Sequence, residues 1–559
     1  MRMTLALLAL TACGGAAPAP SAPPTHEHHA EAPPSWKLDT LARGAGLMGE
    51  LGNYSRKTSA RVPEAQAYFD QGLQLTYGFN HDEAARSYAK AAELDPSCAI
   101  CWWGVAYTLG PNYNIPMLPD RSEAAWDAIG RAQKQAAGAS PVERALIGAL
   151  AKRYKGAAWI DPVAQAPYNE AYAKAMREVA VQFPADDDVQ ALFAEALMNL
   201  NPWKLWSPDG KPAPGTPEIL EVLERILARS PNHPGANHFY IHAVEASATP
   251  GKAAASADRL AALMPNAGHT VHMPAHIYQR VGRYADAALA NRAAIQVDRR
   301  TIARLPPLGY YPFYLAHNHG FLAFSLSMIG QGAEALAAAR ESAGTIPRDI
   351  VCGMPGMDFF LAEPLLVMVR FGRWQEILAE PKPDAKYQVL TALWHHAHGM
   401  ASASTGKLAD ARADLAAIQA ISKALPPDLI AGLNAGKQIA DVSAKIVEAR
   451  IAEIEKRPDA IALWEQAVAL EDGLAYSEPA DWFYPTRHYL GAVLLDAGRA
   501  KEAEAVYRAD LLRNPGNGWG LFGLWKALAA QKKGEASTTE ATFRRIWKDA
   551  DVQLTRTGL

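Results

Sequence analysis

The amino-acid sequence predicts an all-α protein, a superhelical solenoid built from stacked helix–turn–helix repeats. Alanine is abundant and runs of β-branched residues are scarce, which favours helix over strand. Small residues, aromatics and prolines recur with a period of about 34 residues, which is typical of a two-helix repeat that packs on its neighbours. With 559 residues, the chain is long enough for an array of such units and too long for one small core.

The repeat is defined by residue types at fixed positions. With Pro96 at position 32, Gly72 falls at position 8, Ala84 at position 20, Tyr88 at position 24 and Ala91 at position 27. Two helices pack closely only where small side chains lie at their contact, and an aromatic ring then fills the remaining space. This pattern resembles the tetratricopeptide repeat, which implies a helical solenoid with a concave face.

Other segments of the chain repeat the same pattern. A complete copy places the expected residue types at positions 8, 15, 20, 24 and 32: Gly491, Gly498, Ala503, Tyr507 and Pro515. Two further copies begin at Pro234 and at Gly268. The resemblance covers roughly residues 61–545 and is interrupted by insertions near 111–119, 202–217 and 300–314.

The N-terminus indicates export. Arg2 precedes a short apolar stretch, and Leu10-Thr11-Ala12-Cys13 then resembles a bacterial lipobox. The resemblance implies cleavage before Cys13 and lipidation of its sulfur, so we expect a membrane anchor on that residue. The expected location is the cell envelope, at the outer membrane facing the periplasm. A plain signal peptide with an incidental cysteine is the alternative.

These signals predict a domain organisation. The predicted parts are a signal peptide and lipobox (1–13), an Ala/Pro-rich tether with an irregular lead-in (14–60), N-terminal repeats with a histidine-rich groove (61–380), C-terminal repeats (381–548) and a tail (549–559). Lys and Arg total 55 against 58 Asp and Glu, a formal net charge of −3. Nucleic acid is therefore not an expected partner, because it would require a basic excess.

Histidines cluster at groove-facing positions of the repeats. In tetratricopeptide repeats, positions 2, 5, 9 and 12 of the first helix line the concave face, and this spacing keeps them on one helical face. The repeat from Pro234 and the repeat from Gly268 place six residues at these positions: His238, His242, Glu245, His269, His272 and His276. A third repeat adds His317 at position 2, with His319 nearby.

This set of side chains predicts a transition-metal site of one or two ions. Histidines at i and i+4, such as His238 and His242, lie about 6 Å apart at Cβ and can reach one ion. Imidazole suits copper, zinc or iron, and Glu245 adds a ligand or a general base. If the protein is an enzyme, we expect a metal-dependent oxidoreductase or hydrolase. The alternatives are a metal-free scaffold that binds a peptide or protein in the concave groove, and incidental packing of histidines.

Two other motifs support secondary predictions. Cys98 and Cys101 form a C-x-x-C pair, and in an exported protein a disulfide is favoured over redox or metal chemistry. Asn201-Pro202-Trp203 opens the insertion before the histidine-rich repeats, and forms either a wall over the site or a packed aromatic loop.

Two segments of the sequence carry a closer resemblance to known proteins. His238-Phe-Tyr-Ile-His242-Ala-Val-Glu245 and Gly268-His269-Thr-Val-His272-Met-Pro-Ala-His276 are similar to segments of exported bacterial tetratricopeptide lipoproteins. The resemblance supports export and fold and implies no activity.

Overall fold

The computed structural model describes residues 36–304 and 311–559, which are mostly helical with almost no strand. Within these residues the helices are α1 (Leu38–Leu41), α2 (Pro63–Tyr77), α3 (His81–Leu94), α4 (Ala99–Leu109), α5 (Ser122–Gln135), α6 (Pro141–Leu150), α7 (Pro162–Gln182), α8 (Asp187–Met198), α9 (Thr216–Arg229), α10 (Pro234–Val244), α11 (Ala254–Leu263), α12 (Gly268–His272), α13 (Pro274–Arg280), α14 (Tyr284–Arg304), α15 (Tyr311–Met328), α16 (Gly332–Thr345), α17 (Arg348–Gly353), α18 (Glu363–Arg370), α19 (Trp374–Ala379), α20 (Gln388–Ser404), α21 (Leu408–Ala424), α22 (Gly436–Ile454), α23 (Ala460–Asp472), α24 (Arg487–Asp496), α25 (Ala500–Arg513), α26 (Gly518–Ala530) and α27 (Glu535–Ile546). A two-stranded antiparallel hairpin, β1 (Ile430–Ala431) and β2 (Asn434–Ala435), lies between α21 and α22.

Consecutive helices pack against each other as repeat units, which confirms the predicted all-α, tetratricopeptide-type fold. Helix α2 contacts α3, and α3 contacts α4, as the copy ending at Pro96 requires. The predicted signal peptide and the lipidation at Cys13 lie outside the described residues.

The small and aromatic positions of the repeat meet as the pattern predicts. A Cβ on Gly72 would lie 2.7 Å from the Tyr88 ring, and one on Gly104 would lie 2.5 Å from it. The Tyr88 ring is therefore held between glycines of two successive helices. The copy at the other end of the chain repeats this arrangement, because a Cβ on Gly491 or on Gly523 would overlap the Tyr507 ring.

Glycine also ends the first helix of several repeats. Gly282 and Gly498, both counted as position 15, have φ angles of 81° and 75°. This left-handed conformation is accessible to glycine at little cost, and it turns the chain out of one helix and towards the next.

The lead-in before the first repeat packs on the helices. Arg56 pairs with Asp186 and with Asp188, each at 2.7 Å. The Tyr54 hydroxyl donates to Asp188 at 2.7 Å. Residues 36–60 are thus part of the folded structure, and the rest of the predicted tether lies outside the described residues.

The contacts divide the described chain into two compact units. One comprises 339–472 and 481–486, and the other comprises 36–304, 311–338, 473–480 and 487–559. The second unit contains every predicted metal ligand in the described chain. The predicted division into 61–380 and 381–548 follows the count of repeats rather than compactness, and it stays a prediction.

Within the second unit, the C-terminal helices pack on the histidine-rich repeats. The Trp519 indole donates to the Ser327 carbonyl oxygen at 2.8 Å. A Cβ on Gly330 would lie 2.5 Å from the Trp547 ring, so the turn after α15 abuts this indole. None of the described helices combines the length and apolarity needed to cross a bilayer.

We expect Gly104→Ala to lower the free energy of unfolding by about 1–3 kcal/mol, because its Cβ overpacks against Tyr88. Gly130 is the matched control, since it lies in α5 with no heavy atom within 4 Å of an added Cβ. Gly130→Ala should raise stability by up to about 1 kcal/mol through helix propensity. Urea titration followed by circular dichroism measures both, and equal effects would contradict the packing role of Gly104.

Candidate metal centre

Four helices of the second unit bring the predicted ligands together. His238 and His242 lie on α10, with Glu245 at its C-cap. His269 and His272 lie on α12, His276 on α13 and His317 on α15. Pro274, at the start of α13, has no N–H to donate and separates α12 from α13.

The histidines are deeply buried. His238, His272 and His276 are 0% exposed, His242 is 1% exposed and His269 is 3% exposed. Burial lowers the pKa of His238, His269 and His272 well below its ordinary value. These imidazoles are therefore neutral at physiological pH, which is the form that binds a metal ion.

The first trio consists of His238, His242 and His269, whose ligand atoms all lie within 4.8 Å of one another. His238 Nδ1 lies 2.6 Å from the Tyr77 carbonyl oxygen, so this nitrogen donates and Nε2 keeps its lone pair. His242 Nδ1 lies 3.0 Å from Glu245 Oε1 and is oriented in the same way. Within the described residues, neither Nε2 atom and neither ring nitrogen of His269 has a hydrogen-bond partner.

The second trio consists of His272, His276 and His317, again with ligand atoms within 4.8 Å of one another. His272 Nδ1 lies 2.7 Å from Asn291 Oδ1, which leaves Nε2 to face His276 Nε2 at 2.9 Å. His317 is partly buried, and burial together with the charge of His276 lowers its pKa to about 3.

Glu245 connects the two trios. Its Oε1 lies 3.0 Å from His242 Nδ1, and its Oε2 lies 2.7 Å from His276 Nδ1. Burial favours the neutral carboxyl, but His276 and His242 hold the pKa of Glu245 below its ordinary value. The carboxylate thus faces one imidazole of each trio, an arrangement that orients metal ligands in many proteins.

Glu478 belongs to the same cluster and was not predicted. Its Oε2 lies 2.6 Å from His276 Nδ1, and its side chain is 4% exposed. Burial and the neighbouring Glu245 raise the pKa of Glu478. Burial alone would lower the pKa of His276, but Glu245 and Glu478 raise it. Glu478 lies in an irregular segment outside the repeats, so no repeat position could have identified it.

Aromatic rings enclose the first trio. The Phe79 ring lies 4.5 Å from His238, and Tyr314 lies 4.5 Å from His269, between ring centroids. Tyr113 lies 5.3 Å from His242, and Trp203 lies 5.7 Å from the same ring.

Two of these rings come from the insertions that the sequence identified, 111–119 and 202–217. Phe79 and Trp203 have φ angles of 52° and 59°, a strained region for residues other than glycine. The cluster therefore lies in an enclosed interior rather than on an open groove wall.

Some other predicted residues lie apart from this cluster. His319 is buried on α15, two residues beyond His317, and in the described chain it belongs to none of the ligand groups. Residues i and i+2 do not share a helical face, which accounts for the separation. Cys98 and Cys101 form a disulfide at the start of α4, with Cα atoms 5.4 Å apart.

Comparison with known proteins adds little. No protein-family model matches the chain, and no curated protein matches it significantly. Human IFIT1 in a dimer with PPP-AAAA is similar at 14% identity and a TM-score of 0.33, over 88% of this chain and 92% of that chain. Yeast Tom70 is similar at 10% identity and a TM-score of 0.28, over 87% and 92%. At these TM-scores the likenesses carry no argument about function, and the fold rests on the helices themselves.

A buried carboxyl behind α12 makes stability depend on pH. Asp298 accepts from the Tyr311 hydroxyl at 2.7 Å and from the Asn318 amide at 2.6 Å, and burial raises its pKa to about 7. Above a pKa of about 3.9 the unfolded chain releases the proton that the folded carboxyl keeps. The contribution of Asp298 to the free energy of unfolding therefore falls as pH rises from 4 to 7, by up to about 4 kcal/mol.

We expect Asp298→Asn to remove this part of the pH dependence, because an amide does not titrate. Asp286→Asn, at an exposed site on the same helix α14, should keep the wild-type profile. Urea unfolding of chelator-treated protein between pH 4 and pH 7 measures the difference. Parallel profiles for Asp298→Asn and wild type would refute the assignment.

Proposed function

We propose that this protein is an exported, lipid-anchored tetratricopeptide protein that binds transition-metal ions in its two histidine trios. The observation that carries the proposal is the clustering of six imidazoles in two groups of three, with the ligand atoms of each group within 4.8 Å; five of the six are buried and His317 is partly buried. The tether before residue 36 would connect the folded helices to a lipid on Cys13.

Free energy favours an ion at such a cluster. A buried polar atom without a partner costs about 1–3 kcal/mol, and in the described structure His238 Nε2, His242 Nε2 and both nitrogens of His269 are of this kind. A bound cation would satisfy these lone pairs at once. Three imidazoles per ion suit copper, zinc or iron and leave coordination positions open.

The surrounding residues support the same role. The Tyr77 carbonyl oxygen, Asn291 Oδ1 and the Glu245 carboxylate each accept from an Nδ1 atom and direct Nε2 inwards. Hydrogen bonds of this kind fix the ring orientation and the tautomer of metal-binding histidines. The trios lie side by side, with ring centroids of His242 and His276 5.5 Å apart.

A metal bound here would supply Lewis-acid or redox chemistry, activating water or dioxygen in a hydrolase or an oxidoreductase. The protein would contribute exclusion of bulk water, because Phe79, Tyr113 and Trp203 pack directly on the imidazoles. Their burial also weighs against a metal-free peptide groove, since a peptide could not reach His238 or His272.

Metal content tests the proposal. Untagged protein analysed by plasma mass spectrometry should carry at least two transition-metal ions per chain. His242→Ala and His276→Ala should each lose at least one ion per chain, because each removes a ligand from one trio and a partner of Glu245. His398→Ala is the control, since His398 is partly exposed in the other unit and pairs with Asp414.

If wild type carries less than one metal ion per chain and both variants carry the same amount, the proposal is wrong. That outcome would favour a scaffold that recognises a peptide or protein partner.

Removing the metal should also destabilise the protein. A ligand that binds only the folded state adds about 4 kcal/mol when its concentration is a thousand times its Kd. A chelator should therefore lower the Tm of wild type by several degrees in differential scanning calorimetry. The Tm of a double His242→Ala, His276→Ala variant should not respond, and an equal decrease in both proteins would contradict a site in the trios.

A further inference from the structure

We propose a third metal-binding position in the same unit, formed by Glu245, Glu478 and the Nδ1 atom of His276. It is separate from the two trios and takes a hard or borderline divalent cation such as Zn²⁺, Mn²⁺ or Fe²⁺. The inference rests on the proposed function only in that His276 also belongs to the second trio.

The geometry is that of ligands around a cation. His276 Nδ1 lies 2.7 Å from Glu245 Oε2 and 2.6 Å from Glu478 Oε2, and the three ligand atoms all lie within 4.8 Å. Donors that bind an ion at about 2.0–2.2 Å lie roughly 3.0–3.5 Å from one another, so a small outward shift of the two carboxylates would admit an ion. These short contacts lack hydrogen-bond geometry, and in the described residues His276 Nδ1, Glu245 Oε2 and both Glu478 oxygens have no hydrogen-bond partner.

Charge gives a second, independent reason. The Glu245 and Glu478 residues are 1% and 8% exposed, so two carboxylates are buried side by side. In the described chain, the only ion-pair contacts of these two carboxylates are with imidazoles. A buried pair of carboxylates requires positive charge close by, and a divalent ion between the carboxylates would supply it.

The neighbouring Arg280 guanidinium binds backbone carbonyl oxygens and not the two carboxylates. Arg280 Nε donates to the Glu245 carbonyl oxygen at 3.0 Å, and Arg280 Nη2 donates to the Ser247 carbonyl oxygen at 3.2 Å. Its guanidinium also lies over the Tyr476 ring, 5.4 Å from the centroid. Arg280 therefore holds the backbone around the site and does not ion-pair with either carboxylate.

His276 presents one nitrogen to each position. Its Nε2 faces His272 Nε2 at 2.9 Å in the second trio, whereas Nδ1 faces the carboxylates. A neutral imidazole has one lone pair and one N–H group. Filling both positions requires the ring to release its remaining proton to solvent and to bridge the two ions.

The two kinds of position differ in ligand chemistry. The trios offer only imidazole nitrogens, which accept copper readily, whereas the third position offers two carboxylate oxygens and one nitrogen. Carboxylate oxygens favour harder cations and disfavour Cu(I). The difference allows the positions to be counted separately with different metals.

Ion counting on metal-free protein tests the inference. Wild type should bind three Zn²⁺ per chain, and Glu478→Gln should bind two, because the amide keeps the shape but loses the charge. Cu(I) should fill two positions in both proteins. Glu504→Gln is the matched control in the same unit, since Glu504 pairs with Lys533 and Arg508 away from the cluster. It should bind three Zn²⁺.

Each other outcome is decisive. If wild type and Glu478→Gln both bind two Zn²⁺, the third position is wrong and the two trios remain supported. Glu478 would then be a neighbour of His276 Nδ1 and not a metal ligand. Loss of every ion from a folded Glu478→Gln protein would also overturn it, because Glu478 would then support the trios. Absence of bound metal from wild type would remove the proposed function itself.

Discussion

Close approach of helices at glycine holds the histidine cluster together. Gly235, the second residue of α10, lies against the Tyr77 ring, and Gly268, the first residue of α12, lies against the Asp298 carboxyl. A side chain at either position would push a histidine-bearing helix away from its neighbour. The same contact places the Tyr77 carbonyl oxygen against His238 Nδ1. The small-residue contacts that define the repeat therefore also set the distances within the candidate metal centre.

Burial is the main consequence of this packing. Because the helices meet so closely, the imidazoles are withdrawn from water, and burial keeps His238, His269 and His272 neutral. The carboxylates of Glu245 and Glu478 provide the negative charge that would retain cations in such an interior. An open groove would have left these side chains hydrated and without the cost of burying their polar atoms.

The position of each residue within the repeat predicted which side chains come together, because equivalent positions of neighbouring repeats lie on the same face of the solenoid. The resemblance to tetratricopeptide repeats implies that positions 2, 5 and 9 of neighbouring repeats face the same side, and these positions identified His238, His242, His269, His272 and His276. His319 shows the limit of that reasoning. It was grouped with His317 by nearness in sequence, but the helix turns through about 200° over two residues and carries it to another face.

Periodicity in the chain was enough to establish helices, repeat units and the inward direction of the first histidines, because those features depend on contacts between residues close in sequence. The enclosure and the charge of the cluster depended on tertiary structure. Phe79 and Trp203 adopt backbone conformations that no propensity favours, and Glu478 reaches His276 from an irregular segment far along the chain. Such contacts join residues far apart in the sequence and form only when the helices of the unit pack together. No periodic pattern in the sequence predicts them.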